Sequence, residues 1–393
     1  MSHVHVLNYG EIKVKKNYSQ SIIDMAAEAA ENALKNFSDI TIDALFVSNM
    51  LGGLGCNQRM LGALIAEKLG LYNIESYRIE TGCGSGGAAI RSAIMAIRSG
   101  CCKAALVVGV EKMSTIAKDK IAAALATASN WEKEGMLGES FISLNAKLMK
   151  EYVARYHSDA DEFGIFGINA HNNAQNNSSA LFPNKIDALI YQEAKIIYPP
   201  IKLYDASPVC DGAAAVLLVN NEIAKKYSNA VDIVTIVGSA AASNIVALRG
   251  KKDLLDLPAV TASTKKSLHG TGLTLNDIDF FELHDAYSIM SVLSLENSGF
   301  VEKGSALQFA KTEGIHVGGK LPVSTMGGLK ARGHAIGATG IYQLGESCMQ
   351  LTGKAGRNQI QNPKVGMIQN IGGCGAFCAT HILTRYDVNV GEK

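Results

Sequence analysis

The stretch SYRIETGCGSGGAAIRSAIMAIRSG, residues 76–100, predicts a strand, a glycine-rich turn and a helix. Its apolar residues Ile90, Ala93, Ile94 and Ile97 have the three- and four-residue spacing of one helical face. Cys83 therefore lies where the helix begins. The positive end of the helix dipole and the unpaired N–H groups should lower the pKa of Cys83. This pattern fits a nucleophile, and equally a buried structural cysteine beside a tight turn.

The composition argues against several classes of protein. Charged residues make up 19% of the 393 residues and the formal net charge is +1, which gives no reason to expect nucleic acid or an anionic membrane as a partner. The sequence has no apolar run of membrane-spanning length and no hydrophobic signal core, so we expect a cytoplasmic protein. The eight cysteines include no CxxC pair and no zinc-like His/Cys spacing. We therefore expect reduced thiols and no metal site.

The order of the predicted elements indicates a duplicated α/β protein. Strands and helices alternate through residues 1–113, and 206–230 complete this first half. Residues 231–393 repeat the pattern, including the predicted strand FFELHDA at 280–286. Long apolar runs are typical of strands buried on both faces of a parallel sheet. Residues 114–205 have few strand signals, and we interpret them as an insertion that shapes a substrate site.

Three motifs in the second half could complete a site around Cys83. His284 follows a strand in ELHDAY, His334 opens a helix in GHAIGATG, and residues 370–375 form the glycine loop NIGGCG. A histidine beside a cysteine forms a nucleophile–base pair, and N–H groups of a glycine loop can stabilise an oxyanion. Each motif alone has a structural interpretation, as a core histidine, a helix cap or a hairpin. Their equivalent positions in the two halves favour a site between the halves.

Over essentially its whole length the chain resembles the thiolase family. The matching motifs, in the family's order, are TGCGSGGAAI followed by GVEKM, SPVCDGAAAVLL, ELHDAY, GGLKARGHAIGATG and NIGGCGAF. The His-Asp pair replaces the Asn-Glu of common thiolases, and in this the chain is similar to archaeal and bacterial acetoacetyl-CoA thiolases and to sterol carrier protein thiolases. The resemblance implies the thiolase fold: two βαβαβαββ halves in a five-layered α-β-α-β-α arrangement with a loop insertion.

The resemblance also implies a mechanism on coenzyme A thioesters, with no permanently bound cofactor. Cys83 would attack an acyl-CoA while His334 takes its proton, and the enolate of acetyl-CoA would then attack the acyl-enzyme. His284, through a water, would hold the enolate oxygen. The backbone N–H groups of Cys83 and Gly372 would stabilise the oxyanion. Ser207 matches the serine along the pantetheine arm, and His171 in the insertion would help to form the CoA-binding surface.

One catalytic group of the family is missing from its usual place. Thiolases carry a second cysteine, the base for the α-proton, in a Cys-x-Gly loop, and here Asn370 stands at that position. Sterol carrier protein thiolases place a cysteine after His-Asp, where this chain has Ala286. Cys374, in the same glycine loop as Asn370, is the nearby candidate for this base.

The predicted activity is that of an acetyl-CoA C-acetyltransferase, which converts two acetyl-CoA to acetoacetyl-CoA and CoA, or of a 3-oxoacyl-CoA thiolase. Two alternatives stay open: a related condensing enzyme, ketoacyl synthase-like or with a non-CoA acceptor, and a low-activity thiolase-like subunit of a complex. The resemblance further implies a homodimer or homotetramer and association with a hydroxymethylglutaryl-CoA synthase and a small OB-fold CoA-channel protein. Neither acyl chain length nor reaction direction can be predicted from the sequence.

Overall fold

The computed structural model describes residues 3–386, where nine strands form one mixed sheet and two more form a hairpin. The strands are β1 (Val4–Glu11), β2 (Ala44–Ser48), β3 (Glu75–Ile79), β4 (Ala104–Lys112), β5 (Ile196–Tyr198), β6 (Ile201–Lys202), β7 (Asp211–Val219), β8 (Val234–Ser243), β9 (Phe280–Glu282), β10 (Val365–Gly372) and β11 (Phe377–Arg385). The α-helices are α1 (Ile22–Leu34), α2 (Gly52–Gly55), α3 (Leu61–Lys68), α4 (Ser85–Arg98), α5 (Ile121–Ala126), α6 (Phe141–Tyr156), α7 (Gly164–Ala174), α8 (Ala188–Gln192), α9 (Asn221–Tyr227), α10 (Pro258–Leu268), α11 (Ser288–Ser298), α12 (Ala306–Phe309) and α13 (Thr339–Leu351).

The nine-stranded sheet has the order β3-β2-β4-β7-β1-β8-β11-β10-β9. Its first five strands come from the first half of the chain and the last four from the second, and the halves join where β1 pairs with β8. Strand β4 is buried along its whole length, as its apolar run predicted. It runs parallel to β2 but antiparallel to β7, so the sheet is mixed and not purely parallel.

The second half repeats the first with two differences. The segment before its glycine turn contributes only one parallel bridge, between Val323 and Phe281, where the pattern predicted a full strand. Strand β9 ends at Glu282, so the prediction of a strand over 280–286 was too long. The backbone turns there because the Leu283 N–H donates to the carbonyl of Phe281. Because β9 ends at Glu282, the residues after it leave the sheet, and Asp285 among them contacts the turn at 328–332.

Helices α4 and α13 form the central layer of the molecule. They pack against each other and contact strands of both halves. On the outer faces, α1 and α3 cover the first half of the sheet, and α10, with α11 beside it, covers the second. Buried apolar residues accordingly form three large clusters, one around the central helices and one beneath each outer layer. The five predicted layers are therefore the outer helices of the first half, its part of the sheet, the central helices, the second half's part of the sheet and its outer helices. The α/β class is confirmed.

The central helices approach each other through glycines at their first turns. A Cβ added to Gly86 would lie 2.7 Å from the backbone nitrogen of Gly340. A Cβ added to Gly340 would lie 2.6 Å from the backbone nitrogen of Gly87. Because no real Cβ tolerates such distances, the spacing between the two helix starts depends on these glycines.

The insertion rests against the second half of the chain. Helix α7 packs on the turn at 328–332. Its Asn169 and Asn173 side chains donate to the carbonyls of Val323 and Ser324 at 2.9 and 3.0 Å. The division into 1–113 with 206–230, 114–205 and 231–393 stays a prediction. No helix within residues 3–386 combines the length and apolar character needed to cross a membrane.

Gly86→Ala is expected to lower the free energy of unfolding by ~1–3 kcal/mol, because the new methyl group forces the two central helices apart. Urea unfolding followed by circular dichroism measures this change. Gly53→Ala in α2 is the matched control, since its Cβ would meet nothing closer than Arg59 Cγ at 3.7 Å. Equal stabilities of the two variants would show that the glycine contact does not set the helix spacing.

Candidate active site

The structure brings Cys83, His284 and His334 together at the junction of the two halves. The sulfur and one nitrogen of each ring all lie within 4.8 Å of one another. The two imidazole centroids are 5.3 Å apart with their planes at 84°. Each of the three residues is at most 6% exposed. Among residues 3–386 they form the one group of His, Cys and acidic residues close enough to share a metal ion, which their wide spacing in the sequence did not indicate.

Hydrogen bonds and close backbone contacts shape the turn that carries Cys83. The Ser85 hydroxyl donates to the carbonyl of Gly82 at 2.6 Å and accepts the N–H of Thr81 at 3.0 Å. Gly372 lies against this turn, and a Cβ there would be 2.2 Å from the carbonyl oxygen of Thr81. Glycine at 372 thus lets the loop after β10 approach the nucleophile turn. The role of Gly372 as an oxyanion donor stays a prediction.

The prediction of a lowered pKa for Cys83 was wrong. Burial raises the pKa of this thiol to about 12, and the neighbouring Cys374 and Glu111 add to the increase, because their ionised forms would repel a thiolate. Helix α4 begins at Ser85 with Gly84 as its N-cap, so the sulfur lies outside the first turn, where the dipole is strongest. At neutral pH Cys83 is therefore a neutral thiol that needs a base to become a nucleophile.

His334 has the hydrogen bonds of a base. Its Nδ1 lies 2.7 Å from Thr339 Oγ1, and that hydroxyl donates its proton to the carbonyl of Ala335 at 3.2 Å. The hydroxyl must therefore accept from Nδ1–H, which leaves a lone pair on Nε2. Within the described residues, Nε2 is buried without a hydrogen-bond partner. Burial holds the pKa of His334 well below its usual value, and the nearby His284 and Arg332 lower it further, so the ring is neutral.

His284 is a neutral imidazole with different contacts. Its Nδ1 lies 3.3 Å from the Asn370 amide nitrogen. Burial lowers the pKa of His284 to about 4, although the neighbouring Asp285 opposes the decrease. The Asp285 carboxylate accepts the Leu329 N–H at 2.8 Å and forms a buried ion pair with Lys330 at 3.2 Å. Asp285 thereby anchors the turn that leads to His334.

Two cavities meet at the segment Ser207–Pro208, which lines both of them. The smaller cavity, about 50 Å³, reaches Cys83 and His334 and is lined mainly by apolar groups, among them Tyr287. The larger, about 320 Å³, is lined by residues of the insertion and by Lys330. The Ser207 N–H donates to the carbonyl of Ala286 at 2.9 Å. This hydrogen bond holds the segment between the two cavities against the residues that follow His284.

His171 lines the larger cavity. Its Nδ1 lies 3.1 Å from the carbonyl of Asn184, and its ring stacks on Phe182 with an angle of 16°. Burial lowers the pKa of His171, so this ring too is neutral. A ligand role for His171 stays a prediction.

Cys374 lies near the three-residue cluster but is not part of it. Its sulfur is 3.8 Å from Asn145 Nδ2 of the insertion, and its carbonyl accepts from Lys251 Nζ at 2.8 Å. Burial raises the pKa of Cys374 to about 12, against the opposing charge of Lys251. The structure therefore places this thiol beside the insertion helix α6, and its role as the α-proton base stays a prediction.

Sequence reasoning missed three residues that hold the site together. Thr339 was read only as part of a glycine-rich helix start, although a hydroxyl one turn after His334 could have suggested its contact with the ring. The contacts of Lys330 with Asp285 and of Asn370 with His284 gave no local signal, because these partners are distant in the chain.

The fold and the site define a duplicated α/β enzyme with a buried cysteine–histidine site. Comparison with known proteins identifies the family. The model described as "Thiolase, N-terminal domain" matches residues 9–196, and "Thiolase C-terminal domain-like" matches 240–385. The chain is 37% identical to an acetyl-CoA acetyltransferase of Methanothermobacter thermautotrophicus over 98% of this chain and 100% of that protein. It is 34% identical to an acetyl-CoA acetyltransferase of Methanocaldococcus jannaschii over 98% of this chain and 99% of that protein. The chain belongs to the thiolase family, which confirms the resemblance of its motifs.

A solved structure titled "Ltp2-ChsH2(DUF35) aldolase" has the same fold. It matches with a TM-score of 0.85 and 20% identity, over 98% of each chain. At this identity the likeness shows the fold alone.

Alkylation of Cys83 by iodoacetamide is expected to be slow at pH 7 and to accelerate about tenfold per pH unit up to pH 9. The physical reason is that a thiol with a pKa of about 12 gains thiolate steadily over this range. Peptide mapping separates Cys83 from the exposed Cys101. A rate that levels off below pH 8 would instead indicate a preformed thiolate–imidazolium pair.

Proposed function

We propose that the chain is an acetyl-CoA C-acetyltransferase that interconverts two acetyl-CoA with acetoacetyl-CoA and CoA. The observation that carries the proposal is the unpartnered Nε2 of a neutral His334 in a cluster with the neutral thiol of Cys83. Two relatives of essentially the same length bear the name acetyl-CoA acetyltransferase. A broader 3-oxoacyl-CoA thiolase activity would use the same site.

The first half-reaction transfers an acyl group to Cys83. His334 Nε2 takes the thiol proton as the sulfur attacks the thioester carbonyl, and the same proton then leaves on the sulfur of departing CoA. The backbone N–H groups of Cys83 and Gly372 stabilise the oxyanion between these events. A neutral thiol and a neutral base suit this cycle, because the buried pair carries no net charge before and after the transfer.

The second half-reaction forms the carbon–carbon bond. A second acetyl-CoA loses an α-proton, its enolate carbon attacks the acyl-enzyme carbonyl, and the sulfur of Cys83 leaves and recovers its proton. His284, through a water, holds the enolate oxygen. Cys374, the one thiol of the glycine loop at 370–375, is the proposed acceptor of the α-proton. It first gives its own proton to the neutral His334 and takes the α-proton as a thiolate, and His334 then passes the stored proton to the leaving sulfur of Cys83.

The two cavities support a CoA thioester with a short acyl group. The larger cavity would take the pantetheine arm along Ser207 and His171, and Lys330, which is ion-paired with Asp285, forms part of its wall. The smaller cavity of about 50 Å³ has room for about three or four water-sized groups, which matches the heavy atoms of an acetyl group. CoA thioesters are substrates in this proposal, and no resident cofactor is needed.

The edge strand β3 supports assembly into a homodimer or homotetramer. Exposed apolar side chains surround this unpaired edge: Leu54, Met60, Tyr72, Tyr77 and Met95. An open strand edge with apolar neighbours is commonly covered by another chain. A second copy is the proposed occupant, and sedimentation of the purified chain measures the oligomer.

A second apolar surface supports a further partner. The hairpin β5–β6 exposes Ile196, Ile197 and Tyr198, and Ile197 also lines the larger cavity. The neighbour of the same fold has a title that names a second component, ChsH2(DUF35). We assign this surface to a small OB-fold CoA-channel protein, which would link the chain to a hydroxymethylglutaryl-CoA synthase. A cytoplasmic location completes the proposal, and the eight free thiols fit a reducing compartment.

A thiolysis assay tests the activity. The purified chain is expected to consume acetoacetyl-CoA in the presence of CoA, and Cys83→Ala to lower the rate by ~10³-fold or more, because Cys83 is the group that carries the acyl intermediate in this mechanism. Loss of the absorbance of the 3-oxoacyl thioester follows the reaction.

Two other outcomes would contradict the proposal and identify the alternatives. Acyl-enzyme on Cys83 by intact mass, without thiolysis, would indicate a condensing enzyme with a non-CoA acceptor. The absence of both thiolysis and acyl-enzyme would indicate a thiolase-like subunit of a complex.

Cys374→Ala is expected to slow thiolysis by ~10²–10⁴-fold, the usual contribution of a general acid or base. Exchange of acetyl groups between acetyl-CoA and labelled CoA should persist, because it needs only Cys83 and His334. Cys378→Ala, which removes another buried thiol of the same core, is the control. If the two variants behave alike, the α-proton base lies elsewhere.

A further inference from the structure

Asn370, which stands where the family carries its second cysteine, connects the nucleophile helix to His284. Its side chain is buried between α4 and the segment after β9. The Gly87 N–H of α4 donates to Asn370 Oδ1 at 2.8 Å. The Gly87 carbonyl in turn lies 3.2 Å from Nε2 of the buried His381. Gly87 is therefore held on both sides, and Asn370 is attached to a fixed backbone group.

The contact with Gly87 fixes which way the Asn370 amide faces. A backbone N–H can only donate, so the atom opposite it must be the amide oxygen. The amide nitrogen then faces His284 Nδ1 at 3.3 Å. An amide nitrogen can only donate, so Nδ1 must accept with its lone pair. In a neutral imidazole with a bare Nδ1, the proton is on Nε2.

His284 and His334 therefore have opposite tautomers. Thr339 takes the Nδ1–H of His334 and leaves its Nε2 as an acceptor. Asn370 donates to Nδ1 of His284 and leaves its Nε2–H as a donor. Two neutral rings 5.3 Å apart thus offer one base and one hydrogen-bond donor to the same small space.

We propose that Asn370 is a positioning residue that holds His284 in the Nε2–H tautomer, so that His284 can donate, through a water, to the oxygen of the substrate thioester or enolate. The nature of that oxygen rests on the proposed function, whereas the tautomer does not. Asparagine at 370 thereby fixes the proton of His284, at a position where the family that the motifs resemble carries a thiol.

The same contact makes the cluster a poor metal site. A histidine that binds a metal through one nitrogen normally donates the N–H of the other to a carbonyl or carboxylate. For His284 that other nitrogen would be Nδ1, which faces the donor amide of Asn370. A metal on Nε2 would leave both ring nitrogens without a proton, so the arrangement suits proton chemistry.

Nitrogen-15 NMR of histidine-labelled protein tests the tautomer directly. The His284 signals, assigned by their loss in His284→Asn, should show a protonated Nε2 and a bare Nδ1 in the wild type. In Asn370→Asp the carboxylate keeps the Gly87 contact but can only accept, so Nδ1 of His284 should gain a proton. A protonated Nδ1 in the wild type, or unchanged His284 signals in Asn370→Asp, would overturn the proposal.

Kinetics test the consequence for catalysis. At a pH where the spectrum shows neutral His284, Asn370→Asp should lower kcat for thiolysis ~10²–10³-fold, as for loss of one oxyanion donor. Transfer of acetyl groups to labelled CoA, which uses His334, should fall less. An unchanged kcat with a protonated Nδ1 would overturn the role of the tautomer. A wild type with the expected tautomer but without thiolysis would contradict the proposed function alone.

Asn358→Asp is the matched control for both measurements. It places a carboxylate at another buried amide, whose Nδ2 donates to the carbonyl of Asn173 at 2.7 Å, away from the cluster. This variant should lose stability while its His284 signals and the kcat of its folded fraction stay unchanged. The signals of His5, whose ring contacts Thr235 and Asn221, provide an internal reference in every spectrum.

Discussion

The structure depends on the contact between the first turns of α4 and α13, where Gly86 and Gly340 allow backbone to approach backbone. Cys83 lies just before one helix and His334 just before the other. The distance between nucleophile and base is therefore set by main-chain atoms in the centre of the molecule. The sheet wraps this helix pair, and the other site residues come from strand ends and loops that border it.

Within the site, burial determines the charge of each group and hydrogen bonding determines the tautomer of each histidine. Burial acts on all ionisable groups in the same sense, because it disfavours charge: it raises the pKa of Cys83 and lowers those of His284 and His334. His284 and His334 are therefore both neutral, and they do not differ in charge. Their fixed neighbours distinguish them, since Thr339 and Asn370 determine which nitrogen of each ring carries the proton.

Much of this molecule could be predicted from its sequence, because periodicity and glycine turns are local. The helix after Cys83, the apolar strand β4 and the repeated halves all follow from such patterns, and the motif order identified the family. The early end of β9 and the reduced strand at Val323 could not be predicted, since both depend on pairing with distant segments. The high pKa of Cys83 and the contact of Asn370 with His284 likewise arise from burial and long-range packing, which local patterns do not report.

The ion pair between Asp285 and Lys330 ties the two histidine-bearing segments to each other in the interior. Lys330 also lines the cavity assigned to the pantetheine arm. In the proposed binding mode, a CoA thioester would contact Lys330, whose ion pair joins the two histidine-bearing segments, whereas a truncated thioester would not reach it. Remote binding can in this way contribute to turnover as well as to affinity. The proposed binding mode therefore predicts that full-length CoA thioesters react faster than truncated ones.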